Sequence, residues 1–206
     1  MAFDMGALLQ PGKVALVLSE VQRNIIGDLT DSLLAQVAKE TGVVPASAKL
    51  AKAAREHGAP VIHCLANSSP GRFGANTNAR LFKSKRRDPG APPYDPANDT
   101  PCPEVYEEGD ILSKRDHGLN PMADTQLDRR LRNSGITTII VAGVSLNVAI
   151  LGLAMDAVNS GYQVIVARDA VSGYPKEYHE PVLANTLFMI ATLATTDEII
   201  AGWPKA

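Results

Sequence analysis

The sequence predicts a three-layer α/β fold, a doubly wound and mostly parallel sheet with helices on both faces, and three observations point to it. Short apolar runs are unbroken, as expected of strands buried on both faces of a parallel sheet. Longer stretches with helical apolar spacing lie between those runs, and proline and glycine punctuate their starts and stops. Strands that alternate with helices of this length need right-handed crossovers, which cover both faces of the sheet.

In chain order, residues 14–18 form the first apolar run. Residues 46–57 read as a helix that starts after Pro45 and stops at Gly58, and residues 60–66 (PVIHCLA) read as the second buried strand. Residues 111–114 are a weaker strand candidate. Asn120 and Pro121 open a helical stretch in which Leu127 and Leu131 are spaced i, i+4 before Gly135. Residues 137–142 (TTIIVA) are the next strand. Leu146, Ile150, Leu153, Ala154, Ala157 and Val158 then form one apolar helix face that ends at Gly161. Residues 164–167 are a further strand, and residues 198–201 a weak one. Residues 84–103 interrupt the rhythm: they are rich in proline and have no apolar period, so they read as a loop of unusual length. Such a loop serves either as a lid or binding element, or as a surface excursion or subunit contact. No internal repeat or linker divides the chain, and residues 1–206 are expected to form a single domain.

The totals narrow the partners. The chain has 206 residues, 45% of them hydrophobic and 20% charged, which is ordinary globular usage with enough apolar side chain for a core. A formal charge of -2 and a pI near 6.1 provide no pull toward nucleic acid or an anionic membrane, so small molecules or copies of the chain itself are the expected partners. Cys64 and Cys102 lie far apart and form no C-x-x-C pair, which argues against a disulfide framework or a zinc site and fits a reducing, cytoplasmic setting. The first residues have no basic stretch before an apolar one, and no segment has the length of apolar sequence needed for a membrane span, so neither export nor embedding is expected.

In an open parallel sheet, ligands gather at the carboxyl ends of the strands, where loops converge and helix N-termini point their N–H groups inward. Tracing each expected strand to its end gives Glu20 with Gln22, residues 67–69 beginning at Asn67, residues 114–117 from Lys114 to His117, residues 143–147, and Asp169.

Three segments at these ends resemble the isochorismatase-like hydrolase superfamily. VALVLSEVQRNI (14–25) is similar to the family's opening strand, an apolar run ending in Asp with Gln two residues on; here Glu20 stands in the Asp place and Gln22 is in register. GDILSKRDHGLN (109–120) resembles the Gly-Asp turn and short strand that deliver the catalytic lysine, here Lys114. LRNSGITTIIVAGVSLNVAILGLAMDAVNSGYQVIVARDA (131–170) is similar to the family's strand, Gly-Val-x-x-x-x-Cys turn, small-residue helix, Asp-Ala, Gly-Tyr, strand and Asp-Ala. The resemblance implies a Rossmann-like topology, a homo-oligomer with neighbouring subunits near the pocket, and a cis peptide around Val144 and Ser145.

The departures from the family pattern decide the expected chemistry. Ala149 occupies the position of the nucleophilic cysteine, and an alanine offers no nucleophile, so thioester chemistry of the amidase type is not expected. The metal-binding D-x-H-x-x-H pattern of the nicotinamidase branch is absent after residue 66, where NSSPGRFG stands instead; neither a metal nor another cofactor is expected. The stretch HGLNPMADTQL after Lys114 is longer than in the family and lacks its Phe and Gly-Thr. The resemblance then favours the cysteine-independent isochorismatases, which hydrolyse a vinyl ether by protonating the enol carbon from an acidic residue. On that analogy Glu20 is the general acid or base, and Lys114 positions it or stabilises developing negative charge. Gln22, Asn67, His117, Val144, Ser145 and Ala149 are the expected substrate contacts, with the N–H groups of 143–147 facing an anionic group.

Each candidate also has a plainer reading. A glutamate or lysine at a strand end is ordinarily a solvated boundary residue. Ser145 faintly resembles a nucleophile elbow, but Asn147 replaces its second glycine, and a helix N-cap is the simpler role. His63 and Cys64 read as packed core groups, Asp156 and Asp169 as structural, and the cluster RLFKSKRR (80–87) either as a lure for a carboxylated substrate or an acidic neighbouring subunit, or by default as a solvated run. The chain is thus expected to be either a hydrolase working without thiol chemistry or a catalytically silent family member that binds a ligand or supports assembly.

Overall fold

The computed structural model describes residues 4–67, 69, 73–84 and 95–204. In chain order the elements are α1 (Met5–Leu8), β1 (Val14–Ser19), α2 (Leu33–Glu40), α3 (Val43–Glu56), β2 (Val61–Ala66), α4 (Arg80–Ser84), β3 (Ile111–Arg115), α5 (Leu127–Asn133), β4 (Thr138–Val144), α6 (Leu151–Asn159), β5 (Gln163–Ser172), α7 (His179–Asn185), β6 (Thr192–Ala194) and α8 (Thr196–Gly202). Among the described residues the six strands form one sheet in the order β3-β2-β1-β4-β5-β6, with every neighbouring pair parallel. The doubly wound expectation is met in full.

Strand alternation splits the core into two apolar layers. Leu16, Leu18, Ile140, Ala142 and Ile165 face one way and pack with Leu50, Ala54, Ile199 and Trp203 from α3, α8 and the residue after α8. Ala15, Val17, Ile139, Val141 and Val166 face the other way and meet Leu127, Leu131, Leu153, Ala154 and Leu183 from α5, α6 and α7. Both β1 and β4 are buried at every position, which is why their sequences are continuous apolar runs rather than alternating ones.

Several boundaries differ from the sequence expectation, each for a local reason. The stretch 198–201 is helical, inside α8, because Thr195 and Glu198 form a reciprocal capping box that starts the helix. The last strand is instead β6, just before it. Helix α3 begins at Val43, with Pro45 in its first turn, where a missing N–H leaves no bond unmade. Helix α5 begins only at Leu127, since Asn120 Oδ1 accepts the Met122 and Ala123 N–H groups and holds the preceding residues as a turn. The stretch after Ser145 opens as a π-helical turn over Leu146–Ile150 before α6. Of the long loop 84–103, residues 85–94 lie outside the described residues, and the rest includes a short helical turn at Pro96–Asn98.

The strand order places a reversal between β1 and β4: the chain winds outward through β2 and β3, then returns to lay β4 on the other side of β1. Loops leaving these two neighbours diverge to opposite faces and open a crevice at their carboxyl ends.

Candidate active site

Two backbone features shape this crevice. Ser19 ends β1 in register with Gly143 of β4, and a Cβ added at Gly143 would lie 2.1 Å from the Ser19 carbonyl oxygen. Gly143 has φ 107°, so both the close approach and the dihedral demand glycine. The Val144–Ser145 peptide is cis, as the family resemblance implied. Just past β1, Glu20 has φ 54° and donates its N–H to the Cys64 carbonyl at 2.9 Å.

A cavity of about 550 Å³ lies here, within the usual size range of small-molecule sites. Glu20, Asn67, Arg115, His117, Ser145 and Ala149 line it together with the apolar side chains of Ile25, Leu34, Leu81, Leu119 and Val148. The crevice therefore gathers five of the residues expected from sequence: Glu20, Asn67, His117, Ser145 and Ala149.

The cation facing Glu20 is Arg115, and the expectation for Lys114 is corrected. Side chains alternate along β3: Ser113 and Arg115 turn inward, while Lys114 is exposed and does not line the cavity. Arg115 donates from Nη2 to Glu20 Oε1 in a pair where Glu20 is 7% and Arg115 9% exposed. The other arm, Nη1, is buried and has no partner among the described residues; Asn67 Oδ1 is in the same condition. The two come from adjoining backbone, since Asn67 N–H donates to the Arg115 carbonyl at 2.8 Å. A buried polar group left unpaired costs about 1–3 kcal/mol, which a bound ligand or water would recover.

Gln22 and Val144 are also corrected. Gln22 is fully buried and acts as a strut: its Oε1 accepts the Ala66 N–H at 2.7 Å and its Nε2 donates to the Ala66 carbonyl at 3.2 Å, so the amide completes the end of β2 as a neighbouring peptide would. Val144 is sealed in the core, and only its peptide link to Ser145 borders the site. Ser145 sits at the N-cap position of the π-helical turn without a side-chain cap bond, and among the described residues no base accepts its hydroxyl.

Sequence reasoning missed the wall formed by Asn24 and Asp99. Asn24 Nδ2 donates to Asp99 Oδ1 at 2.6 Å, and both residues line the cavity. Asp99 comes from the long loop, whose composition suggested a role without naming a residue. The 80–87 cluster contributes Leu81 and Phe82 to the cavity, while Arg80 is exposed and residues 85–87 lie outside the described residues. Asp156 and Asp169 are structural as read: Asp156 accepts from Asn120, and Asp169 accepts the Thr196 N–H and hydroxyl at the start of α8.

Both cysteines are buried. Burial pushes the Cys64 thiol up to about 12, with Arg115 nearby pulling weakly the other way, and burial likewise pushes Cys102 up to about 12. Ala149, 2% exposed, presents a methyl group at the expected nucleophile position.

Comparison with known proteins agrees with this architecture. Residues 14–198 match the model of the isochorismatase domain. The chain is 28% identical over 193 residues to the uncharacterised isochorismatase family protein YwoC of Bacillus subtilis, covering 91% of this chain and 93% of that one. It is 27% identical over 192 residues to the phenazine biosynthesis protein PhzD of Pseudomonas fluorescens, covering 93% of this chain and 87% of PhzD. The solved structure of an isochorismatase family protein from Burkholderia thailandensis superposes with a TM-score of 0.75 at 27% identity, covering 94% of this chain and 96% of that one. The crevice at the β1–β4 reversal is thus that of an isochorismatase-like hydrolase fold, and the chain belongs to the isochorismatase family.

Proposed function

We propose that this chain is a small-molecule hydrolase of isochorismatase type that works by acid–base chemistry through Glu20, held by Arg115, without a cysteine nucleophile. The observation that carries the reading is the buried Glu20–Arg115 pair facing a cavity whose wall at position 149 is a methyl group.

The pair suits vinyl ether hydrolysis. A Glu20 carboxylic acid transfers its proton to the terminal carbon of the enol ether, and the positive charge that develops is shared between the adjacent carbon and the ether oxygen. Water adds to that carbon and yields a proton to Glu20; the resulting hemiketal then collapses to a ketone and an alcohol. The Arg115 guanidinium, fixed on Oε1, stabilises the carboxylate left after the first transfer. Apolar walls from Ile25, Leu34 and Val148 limit the water around the reacting centre.

A second reading, binding without turnover, draws on Ala149 alone. One assay separates the two: incubation with isochorismate, with release of pyruvate measured over time. The expected result is turnover by the native chain that falls by about 10²–10⁴-fold in Glu20→Gln, the range typical of losing a general acid. Full turnover by that variant would remove Glu20 from the mechanism, and an inert native chain would leave the binding reading.

A further inference from the structure

We infer that the protein carries a second small-molecule site, on the far side of a wall of the crevice, which takes an organic ammonium ion with a compact apolar body. The site is separate from the crevice, and it stands whether or not the hydrolase reading holds.

A cavity of about 900 Å³ lies between the segment after β1, helices α2 and α3, and the stretch that follows Asp99. It shares a wall with the crevice. Ile25, Leu34 and Asp99 line the crevice, while Ile26, Ala35 and Cys102 line the second cavity, and Thr30 borders both. The wall is firmly built. The N–H groups of Ile25, Ile26 and Gly27 converge on the Gln22 carbonyl, Arg23 grips Asp28 through Nε at 2.8 Å and Nη2 at 2.7 Å, and Cys102 N–H donates to the Val21 carbonyl at 3.0 Å. A Cβ at Gly27 would lie 2.9 Å from Cys102 Sγ, so this turn closes tightly on the neighbouring stretch. The hollow exists because α2 and α3 present small side chains to it, Ala35, Ala38 and Ala48, which stop short of filling the space. A preformed hollow of this size is in the range of small-molecule sites, and binding there requires little ordering of the protein.

The lining selects the ligand. The floor is apolar: Ile26, Ala38 and Cys102 belong to the core layer that α3 covers, and Val44 packs against it. The rim is acidic, with three carboxylates, Asp28, Asp31 and Glu104, and one cation, Lys39. Arg23 engages Asp28, whereas Asp31, Glu104 and Lys39 make no ion pair among the described residues, which leaves two carboxylates against one ammonium. Thr30 and Gln36 add side-chain oxygens that can accept from a donor. An ammonium on an apolar body is matched by both floor and rim, while an anion of the same shape meets the repulsion of the rim.

The test uses phenethylamine, phenethyl alcohol and hydrocinnamate, similar aromatic bodies that differ in charge, with binding read by calorimetry. At low salt the amine is expected to bind about three- to fivefold more tightly than the alcohol, the size of one exposed charge pair, and the anion more weakly than either. That advantage should shrink toward none in about 1 M salt. Asp31→Asn combined with Glu104→Gln, both at the surface, is expected to erase the advantage and leave the alcohol unaffected. Ala48→Phe puts a ring into the hollow and is expected to weaken amine and alcohol alike by about tenfold or more, with its melting temperature without ligand reporting that it folds. Val148→Phe narrows the crevice instead and should leave amine affinity within about twofold. No amine binding at tens of millimolar, an anion bound as tightly as the amine, or undiminished amine affinity in the Asp31 and Glu104 variant would overturn the site. So would a loss in Val148→Phe that Ala48→Phe does not share, since it would put the probe in the crevice. Calorimetry needs no turnover, so failure of the hydrolase reading leaves this test intact.

Discussion

Arg115 reaches Glu20 across an intervening strand: β3 supplies the guanidinium, β1 leads to the carboxylate, and β2 lies between them in the sheet. The neighbouring cation, Lys114, turns outward from the same strand. Replacing Lys114 with alanine is therefore expected to leave pyruvate release within about twofold and stability within about 0.5 kcal/mol, as for surface positions generally. Arg115→Met leaves the buried Glu20 carboxyl without its partner, with an expected loss of about 1–3 kcal/mol in a urea melt and loss of turnover. Equal effects at the two positions would reject the assignment.

The thiols should be silent. Cys64 and Cys102 are buried and held in the unreactive neutral form, so iodoacetamide is expected neither to slow turnover nor to label the folded chain. Mass spectrometry with and without urea reads this directly: two alkylations on unfolding, none before. Inactivation that tracks labelling of either cysteine would place a sulfur in the chemistry.

Gly143 and Gly161 both have positive φ but sit in different surroundings. An alanine at Gly161 meets nothing within 4 Å and carries only the backbone penalty, about 1–2 kcal/mol. At Gly143 the new methyl overlaps the Ser19 carbonyl, which belongs to a central strand and has no rotamer by which to move away. Gly143→Ala is expected to cost more than about 4 kcal/mol, enough to leave little folded protein. Thermal melts of the two variants check the difference.

Acid should weaken the edge of the sheet through His63. Its Nε2 lies 2.8 Å from Asp110 Oδ2, the ring is 1% exposed, and burial holds its pKa below the ordinary value although Asp110 pulls it upward. The unfolded chain thus takes a proton below about pH 6.5 that the folded chain refuses, so stability is complete above that pH and falls beneath it. Asp110 behaves differently: burial opposes its charge, but Arg55, the Glu107 N–H and His63 keep its pKa low, so its contribution is present above the ordinary carboxylate range near about pH 4 and is lost as the pH falls beneath it. Urea midpoints between about pH 7 and pH 5 should fall less steeply for His63→Gln than for the native chain; His179, also shifted down, keeps its share in both. Parallel slopes would count against His63.

The buried strands are legible because their sequences stay apolar at every position, as in β1 and β4, where no alternation is needed to recognise them. The edge strand β3 is harder. Its short mixed run contains two adjacent cations, and which of Lys114 and Arg115 turns inward depends on pairing with β2 rather than on any local pattern. Gln22 is legible as a position but not in its role, since an amide that completes a backbone ladder has the same signature as one that holds a ligand. Asp99 carries no signal, because a single carboxylate in a proline-rich stretch stands out only once Asn24 is placed beside it. The apolar residues of 198–201 suggest a strand only when the Thr195 and Glu198 cap before them is left aside, and that cap decides for helix.

The π-helical turn from Leu146 to Ile150 holds one more residue than a regular helical turn, and that surplus sets the rotational phase of α6. Removing a single residue there would let α6 wind regularly from the end of β4 and rotate its faces by about 100° relative to the sheet. Leu153 and Ala154 would then turn away from the strands they pack against, so the surplus residue keeps the apolar face of α6 on the sheet and the methyl of Ala149 on the cavity wall at the same time.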